Sequence, residues 1–259
     1  MAKVTFGKTI IRLGTVTSTQ DILKESFHQG VAEGAIAIAD GQTLGKGRQG
    51  RTWDSAAGKG LWLSTLIEPS GPEALWTWVP LWAGIIVRDS ILQFIPDKQI
   101  SRVLLLKWPN DLYIEDRKLG GILAEKVQHK SGRSAVIVGI GLNLKQQRDD
   151  FPPHLRNRAA SLTERTHVEI QPEQILENLI EQAEQNVHLL KPIDTKAIEK
   201  AWMTSAWGLG EQFQVISGDK VYEGRFIGLG PHGEMCLEDS AGKVIHLASS
   251  DGISKVTSQ

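Results

Sequence analysis

A glycine-rich segment between two apolar runs constrains the fold more than any other feature of the sequence. Gly45, Gly47 and Gly50 spell GxGxxG directly after the alternating apolar run of residues 35–39. That spacing is typical of a dinucleotide-binding turn, which must lead into a helix whose N-terminus holds the pyrophosphate. Here the loop leads into "GLWLSTLI", an apolar run that predicts a β-strand. The segment therefore predicts a strand–loop–strand unit and argues against a nicotinamide-dependent oxidoreductase.

The charges of this loop indicate a site for an anion. Lys46, Arg48, Arg51 and Lys59 lie in or beside it, with Asp54 as its acid. Clustered cations favour phosphate or carboxylate, and glycines let backbone approach a ligand and leave a loop mobile. A solvated basic turn is the alternative that the loop alone leaves open.

The remaining hydrophobic periodicity predicts an α+β fold with a mixed sheet flanked by helices. Helices are predicted at residues 18–30, from Pro80 to about Phe94, at 171–190 and at about 195–205. Strands are predicted at residues 35–39, 61–67, 103–108 and 135–144, with a hairpin over 111–127 that turns at 115–117.

The pattern changes after Gly208. Short apolar runs such as "EQFQVIS" and "KVYEGRFIGLG" alternate with glycine-containing turns, which is typical of a small all-β module. We therefore predict two domains: a larger one at residues 1–208 and an SH3-like β-barrel at residues 209–259.

Composition excludes several classes of protein. The net charge is −1, so no global basic field indicates a nucleic-acid partner. Cys236 is the single cysteine, which fits a reducing compartment such as the cytoplasm. The longest apolar run, residues 75–87, is too short to span a bilayer, and residues 1–16 contain no signal-peptide core, so we expect no membrane association. The tryptophan-rich stretch at 75–82 is compatible with core packing or with a homodimer face.

Two further blocks carry polar side chains at strand ends. "KWPNDLYIEDRKLGGILAE" places Lys107, Asn110 and Asp111 at the end of one strand and Lys118 at the start of another. "GIGLNL" places Asn143 within an apolar strand. Taken singly, each has an ordinary interpretation. Asn110 and Asp111 are typical turn residues, Lys118 could lie on a solvated strand edge, and Asn143 could be a hydrogen-bonded core amide.

Taken in order, the blocks resemble the signature motifs of biotin protein ligases. "GQTLGKGRQGRTW", "KWPNDLYIEDRKLGGILAE" and "GIGLNL" carry the resemblance, and "STQD" and "AASL" are similar to shorter family motifs. The resemblance is strong over about residues 10–165 and weak in the C-terminal module. Lys46 departs from the arginine common in the family, keeping the charge but losing the bidentate fork. About 15 residues precede the "TSTQ" helix, so we expect the form that lacks the N-terminal DNA-binding domain of repressor-type members, and no DNA partner.

The resemblance implies a catalytic domain of the class II aminoacyl-tRNA synthetase and biotin ligase type, and a two-step reaction. Biotin and ATP give biotinyl-5′-AMP and pyrophosphate, with Mg²⁺ on the phosphates; the acyl group then passes to a lysine of the biotin carboxyl carrier protein of acetyl-CoA carboxylase. The sequence does not reveal the Mg²⁺ ligands. A lipoate-type ligase is the nearest rival, and a non-enzymatic biotin sensor or repressor is a rival of another class.

The same resemblance implies roles for individual residues. Lys118 and Arg48 are the catalytic candidates, and the loop is expected to close over the adenylate and exclude water. Trp53 offers a plane for adenine, with simple loop packing as the alternative. The biotin-binding candidates are Ser18, Thr19, Gln42, Gly45, Lys46, Arg48, Lys118, Gly120 and Gly139. The ATP-binding candidates are Arg48, Arg51, Trp53, Lys107, Asn110, Asp111, Lys118 and Asn143.

Overall fold

Seven strands form the larger of two sheets in the computed structural model, which describes residues 4–95 and 98–256. They are β1 (Ile10–Val16), β2 (Ile36–Gln42), β3 (Gly60–Ile67), β4 (Leu104–Lys107), β5 (Asp111–Ile114), β6 (Arg117–Gln128) and β7 (Ser134–Asn143). Their order is β1-β2-β3-β7-β6-β5-β4. The β1–β2 pair is parallel and the other neighbours are antiparallel, which confirms the predicted mixed sheet.

Helices cover both faces of this sheet. They are α1 (Thr19–His28), α2 (Val79–Leu92), α3 (Lys98–Val103), α4 (Leu162–Thr166), α5 (Pro172–Asn186) and α6 (Thr195–Met203). Alternate residues of a strand point to opposite faces. Leu23 and Phe27 of α1 pack on one face with Ala37 and Leu66, whereas Leu63 lies in the larger cluster that includes α2 and α5. Strand β3 is buried along its whole length because both faces are covered.

The predicted α+β elements are largely confirmed, with Pro80 in the first turn of α2 as expected. The sequence reading missed β1, α3 and α4. Strand β1 is an edge strand whose residues are half-buried or exposed, so its apolar alternation is weak. Helix α4 has five residues, which is too short to show helical periodicity.

The C-terminal part forms a separate antiparallel sheet. Its strands are β8 (Gln212–Ser217), β9 (Lys220–Leu229), β10 (Met235–Glu238), β11 (Val244–Leu247) and β12 (Gly252–Lys255), in the order β11-β10-β9-β8-β12. Four of these strands match the predicted short runs "EQFQVIS", "KVYEGRFIGLG", "EMCLED" and "KVIHLAS". The fifth, β12, is a short "GISK" segment without alternation and was missed. The domain division at residue 208 stays a prediction.

The two sheets are joined through tryptophan side chains. Trp78 Nε1 donates to the carbonyl of Pro231 (3.1 Å), and Trp108 Nε1 donates to that of Gly233 (2.9 Å). Phe213 of β8 belongs to the same buried apolar cluster as the larger sheet. Deleting the C-terminal sheet would leave these indole N–H groups unpaired, so we expect lower stability, read as a lower midpoint of thermal unfolding, in addition to any effect on function. A truncated protein with unchanged thermal stability would contradict this expectation.

The tryptophan-rich stretch at 75–82 packs inward. Trp78 is 1% exposed and Trp82 is 3% exposed, and both lie in the main core cluster. Of the two interpretations left open by the sequence, the structure supports core packing for these two side chains. Within residues 4–95 and 98–256, no helix is long and apolar enough to cross a membrane.

Candidate active site

The glycine-rich loop between β2 and β3 is an ordered hairpin. Isolated bridges join Gln42 to Ser55 and Lys46 to Thr52, and the Trp53 N–H donates to the carbonyl of Gly45 (2.8 Å). A Cβ at position 45 would lie 2.4 Å from the Trp53 carbonyl oxygen, so this close approach requires glycine. The tip, Arg48–Gly50, is a short 3₁₀ turn.

Two facing glycines form a flat floor on the α1 side of the sheet. Gly121 of β6 pairs with Gly141 of β7. The Trp53 indole lies against both, because a Cβ at Gly141 would be 2.5 Å from Trp53 Nε1 and one at Gly121 would be 3.1 Å from Trp53 Cζ3. We call Gly121 and Gly141 the glycine floor.

Gly139 and Gly120, both predicted to bind biotin, lie on opposite faces of the sheet. Gly139 lies on the same face as the glycine floor, two residues from Gly141. Gly120 faces the opposite side, where a Cβ would lie 2.5 Å from Leu142 Cδ2. Gly121, rather than Gly120, therefore lies on the same face as Gly139 and Gly141.

A β-bulge explains the shift from Gly120 to Gly121. In the β5–β6 ladder Leu112 pairs with Gly120 but Tyr113 pairs with Lys118, so Leu119 is the extra residue. In a regular strand Lys118 and Gly120 would share a face. The bulge instead brings Lys118 Cε to 3.3 Å from where a Cβ of Gly121 would be.

A chain of hydrogen bonds runs from the loop to α1 at one end of the floor. Gln42 Nε2 donates to Ser55 Oγ (2.9 Å), and Gln42 Oε1 accepts from the backbone N–H of Thr19 (2.8 Å). Thr19 Oγ1 lies 2.9 Å from Ser64 Oγ, which donates to Gln20 Oε1 (2.9 Å). These mostly buried groups have fixed orientations, so a polar ligand group meets preorganised partners. We call the five residues the polar chain.

The polar chain contains three residues that the sequence reading missed: Gln20, Ser55 and Ser64. Ser64 interrupts the apolar run "LWLSTLI", the same signal that singled out Asn143. Ser18, a predicted ligand residue, is 1% exposed and its side chain makes no capping hydrogen bond to α1. The position of Ser18 beside Thr19 is compatible with its predicted role.

Lys118 is held at the other end of the floor. Its ammonium lies 2.7 Å from Asp111 Oδ1 and 5.1 Å from the centroid of the Trp53 ring. Its backbone N–H donates to the carbonyl of Arg158 (2.8 Å), and its carbonyl accepts from Ala160 N–H (2.9 Å). The "AASL" motif thus fixes the backbone at Lys118, which gives that motif a structural role.

The loop cations point in different directions. Arg48 Nη1 donates to Asn110 Oδ1 (3.2 Å), and burial lowers the pKa of Arg48 while Asp111 opposes the shift. Arg51 Nη2 donates to the backbone carbonyl of Asp251 in the C-terminal sheet (2.8 Å). Lys46 instead forms an ion pair with Asp21 of α1. Arg48 is therefore the loop cation that lies against the β4–β5 turn.

Lys107 lies where the two sheets meet. Its ammonium is 4.3 Å from the centroid of the Trp207 ring and 3.3 Å from both Tyr113 Oη and the Ile253 carbonyl oxygen. Burial lowers the pKa of Lys107 to about 8, and the charge of Asp111 acts in the opposite direction.

Asn143 is a satisfied buried amide. Its Nδ2 donates to the Ala160 carbonyl (3.2 Å), and its Oδ1 accepts from Gln146 Nε2 (3.0 Å). The structure thus supports the core-amide interpretation of Asn143, which ties β7 to the "AASL" segment.

The described residues hold no preformed metal centre. Within residues 4–95 and 98–256, no three histidine, cysteine, aspartate or glutamate side chains are grouped to hold a metal ion. Asp111, the carboxylate beside Lys118, is already paired with that lysine.

Comparison with known proteins assigns the chain to a family. The model of the biotin/lipoate A/B protein ligase family matches residues 13–143, just over half of the 259 residues. The chain belongs to this family. The matched region contains the glycine floor, the polar chain and Lys118, whereas the "AASL" segment and the C-terminal sheet lie beyond it.

Individual family members are similar over most of the chain. The bifunctional ligase/repressor BirA of Bacillus spizizenii is 29% identical over 236 residues, or 91% of this chain and 71% of that protein. The biotin–[acetyl-CoA-carboxylase] ligase of Paracoccus denitrificans is 29% identical over 220 residues, or 83% and 89%. The Aquifex aeolicus biotin protein ligase, solved in complex with biotin and ATP, superposes with a TM-score of 0.80 at 29% identity, covering 97% of this chain and 100% of that one.

Proposed function

We propose that this chain is an ATP-dependent biotin protein ligase. It activates biotin as biotinyl-5′-AMP and transfers the biotinyl group to a lysine of a biotin carboxyl carrier protein of acetyl-CoA carboxylase. The family match, the ligase names of the relatives and the similarity to the Aquifex enzyme in complex with biotin and ATP support this assignment.

One observation carries the proposal: the polar chain and the Lys118 cation lie at two ends of one row of glycines, which the Trp53 indole covers in the structure. Gly139 marks the polar end, since a Cβ there would be 2.9 Å from Gln20 Oε1. Gly141, two residues on and about 7 Å away in an extended strand, marks the Lys118 end. This arrangement suits an extended ligand with a polar ring and a carboxylate. Biotin has this form, with its ureido ring at Ser18, Thr19 and Gln42 and its carboxylate at Lys118.

The first step joins two anions, so its barrier depends on fixed positive charge. A carboxylate oxygen of biotin attacks the α-phosphorus of ATP, and the bond from phosphorus to the pyrophosphate oxygen breaks. Lys118 lies between the two reactants, and Arg48 approaches from the loop; both stabilise charge that shifts in the transition state. Lys107, Arg51 and Asn110 are proposed to contact the nucleotide. We expect Mg²⁺ to arrive on the ATP phosphates, because the donor set around Asp111 does not form a metal site.

In the second step a lysine amine attacks the acyl carbon and loses a proton, while the bond to AMP breaks. The loop hairpin protects the reactive anhydride from water until then. Trp53 Nε1 is a buried donor without an acceptor among the described residues. This unpaired N–H supports a change of position of the Trp53 ring when substrates bind, and we keep adenine stacking as its proposed role.

The acceptor needs a route to this site. A cleft of about 540 Å³ opens between residues 73–81, the β4–β5 turn and the C-terminal sheet, and Arg48 and Asn110 line it. We propose that the carrier approaches the loop through this cleft.

We also propose that the C-terminal sheet closes as an SH3-like barrel and that the enzyme works in the cytoplasm without DNA or a membrane.

A pyrophosphate-release assay distinguishes biotin from lipoate, whose ligases share the family. With ATP, we expect release that depends on biotin and not on lipoate. Release with lipoate alone would make the chain a lipoate ligase, and no release with either acid would contradict ligase activity.

The pKa of Lys107 predicts a pH dependence. Since burial lowers this pKa to about 8, the free enzyme carries the charge at pH 7 and loses it as the pH rises. At one unit above the pKa about one tenth of the molecules keep the charge. We therefore expect kcat/KM for ATP to fall as the pH rises through 8. Lys107→Arg stays charged, so the same inflection in that variant would assign it to another group.

Gly141 and Gly120 lie on opposite faces of the sheet, so replacing each with alanine should give a different phenotype. Gly141→Ala places a methyl group 2.5 Å from Trp53 Nε1, so the loop that carries this indole must shift. We expect biotin binding to weaken by about tenfold or more, with a smaller loss of stability than at position 120. Gly120→Ala places a methyl group 2.8 Å from the Gly141 carbonyl oxygen on the core face. There we expect a loss of about 1–3 kcal/mol of unfolding free energy. Calorimetric titration with biotin measures the change in affinity, and denaturant unfolding measures the change in stability. The same pair of changes in both variants would contradict the faces assigned to Gly141 and Gly120.

A further inference from the structure

The glycine-rich loop and the C-terminal sheet meet at one residue, Asp251, which lies between β11 and β12. Gln49 Nε2 donates to Asp251 Oδ1 (2.5 Å), and Arg51 Nη2 donates to the Asp251 backbone carbonyl (2.8 Å). Residue 49 lies in the loop tip, Arg48–Gly50, and residue 51 follows the tip directly. One residue of the C-terminal sheet thus binds the tip on both sides of its turn.

The carboxylate of Asp251 is fixed by its own sheet. Its Oδ2 accepts the backbone N–H of Gly218 in the β8–β9 turn (2.8 Å), and its backbone N–H donates to the Ile216 carbonyl (2.8 Å). These bonds orient Oδ1 toward the loop. The contact therefore has one rigid partner and one partner on a glycine-rich segment.

The loop side of the contact has an unfavourable backbone conformation. Gln49 has φ 55° and ψ 39°, the left-handed region that disfavours residues with a side chain. The bond to Asp251 offsets that cost. When the tip leaves Asp251, this bond no longer compensates for the left-handed conformation of Gln49. The anchored and released arrangements of the tip therefore differ in whether that cost is offset.

We infer that Asp251 is a positioning residue that anchors the loop tip to the C-terminal sheet and so holds Arg48 against Asn110 over the reaction site. The inference rests on the proposed ligase function for its kinetic consequence, but the anchor itself is a contact between two parts of the fold. It gives the C-terminal sheet a role in retaining the intermediate. The electrostatic influence of Asp251 on the Arg48 guanidinium agrees with this placement.

The test compares Asp251→Ala, Gln49→Ala and the double variant with wild type. For each single variant we expect faster release of biotinyl-adenylate and a higher KM for ATP, both by about 3- to 10-fold, the range for one net hydrogen bond. The rate of adenylate formation at saturating ATP should stay near wild type. The double variant should be no worse than Asp251→Ala alone, because both changes remove one contact. Effects that multiply would overturn the anchor.

Asp219→Ala is the matched control. Asp219 is an exposed carboxylate beside Gly218, with no side-chain hydrogen bond or ion pair across the described ranges of the chain. It should behave as wild type. Asp251→Ala kinetics equal to those of Asp219→Ala would overturn the inference. Gln49→Ala leaves the Asp251–Gly218 bond in place, so it tests the anchor even if Asp251→Ala disturbs the sheet.

Limited trypsin digestion without substrates separates the anchor from the ligase proposal. Release of the tip should speed cleavage after Arg48 and Arg51 in Asp251→Ala and Gln49→Ala, but not in Asp219→Ala. Unchanged cleavage would overturn the anchor whatever the enzyme's activity. A wild type that lacks biotin-dependent pyrophosphate release, with faster cleavage in the variants, would overturn the proposed function and leave the anchor standing.

Discussion

Replacing Lys118 with alanine is expected to reduce biotinyl-adenylate formation by about 100-fold or more, the range for removing one preorganised charge or donor from a transition state. Lys118 lies at the end of the glycine floor, where the proposed carboxylate and α-phosphate meet. Biotin-dependent pyrophosphate release under saturating substrates measures the loss. Wild-type release by Lys118→Ala would contradict the mechanism.

Two controls separate chemistry from folding in this experiment. Removing Lys118 leaves Asp111 without its 2.7 Å partner, so Lys118→Ala combined with Asp111→Asn removes the unpaired charge. Lys59→Ala removes a lysine that is ion-paired with Asp150 (2.9 Å) and has no assigned substrate contact. We expect the double variant to stay inactive while folding normally, and Lys59→Ala to keep its activity.

Replacing Arg48 with glycine is expected to release the intermediate. Arg48 reaches Asn110 from the loop tip, and we propose that it contacts the adenylate from there when the loop is closed. Losing one charge-assisted contact costs about 1.5–3 kcal/mol, so release should speed up by roughly 10- to 150-fold. Adenylate formation should fall less, since Lys118 remains. Free biotinyl-adenylate is measured by its labelling of lysines on added bystander protein.

Arg48→Lys is the matched variant, because it keeps the charge and loses the planar fork. It should release the intermediate at a rate between wild type and Arg48→Gly. Biotin with ATP should also protect the wild-type loop from trypsin at Lys46, Arg48 and Arg51, and protect the Arg48→Gly loop less. Tight retention together with full protection in Arg48→Gly would mean that this loop is not the lid.

The sequence was most informative where local rules apply. The loop leads into the apolar run "LWLSTLI" with no helix start between, which was enough to predict a strand and to set aside the dinucleotide fold. The strand pattern also placed Asp111 and Lys118 at the ends of adjoining strands, as the structure has them. These features depend on neighbouring residues, so periodicity and spacing report them.

The sequence was least informative where a feature depends on register or on distant contacts. The choice between Gly120 and Gly121 depends on a bulge at Leu119, which no residue pattern in "RKLGGIL" reveals. The contact between Gln49 and Asp251 joins residues 202 positions apart. Asn143 has a polar side chain in an apolar strand, and the sequence could not say whether a ligand or Ala160 satisfies it.

Biotin activation by ATP is tested most directly by following the α-phosphorus of ATP through a single turnover. Stoichiometric enzyme, biotin and ATP labelled at the α-phosphate are mixed, and a biotin carboxyl carrier domain is added after the first phase. We expect the label to pass from ATP to enzyme-bound biotinyl-adenylate, and then to AMP as one carrier lysine gains a biotinyl group. Label that stays in ATP, or that forms an adenylate with lipoate but not with biotin, would contradict it.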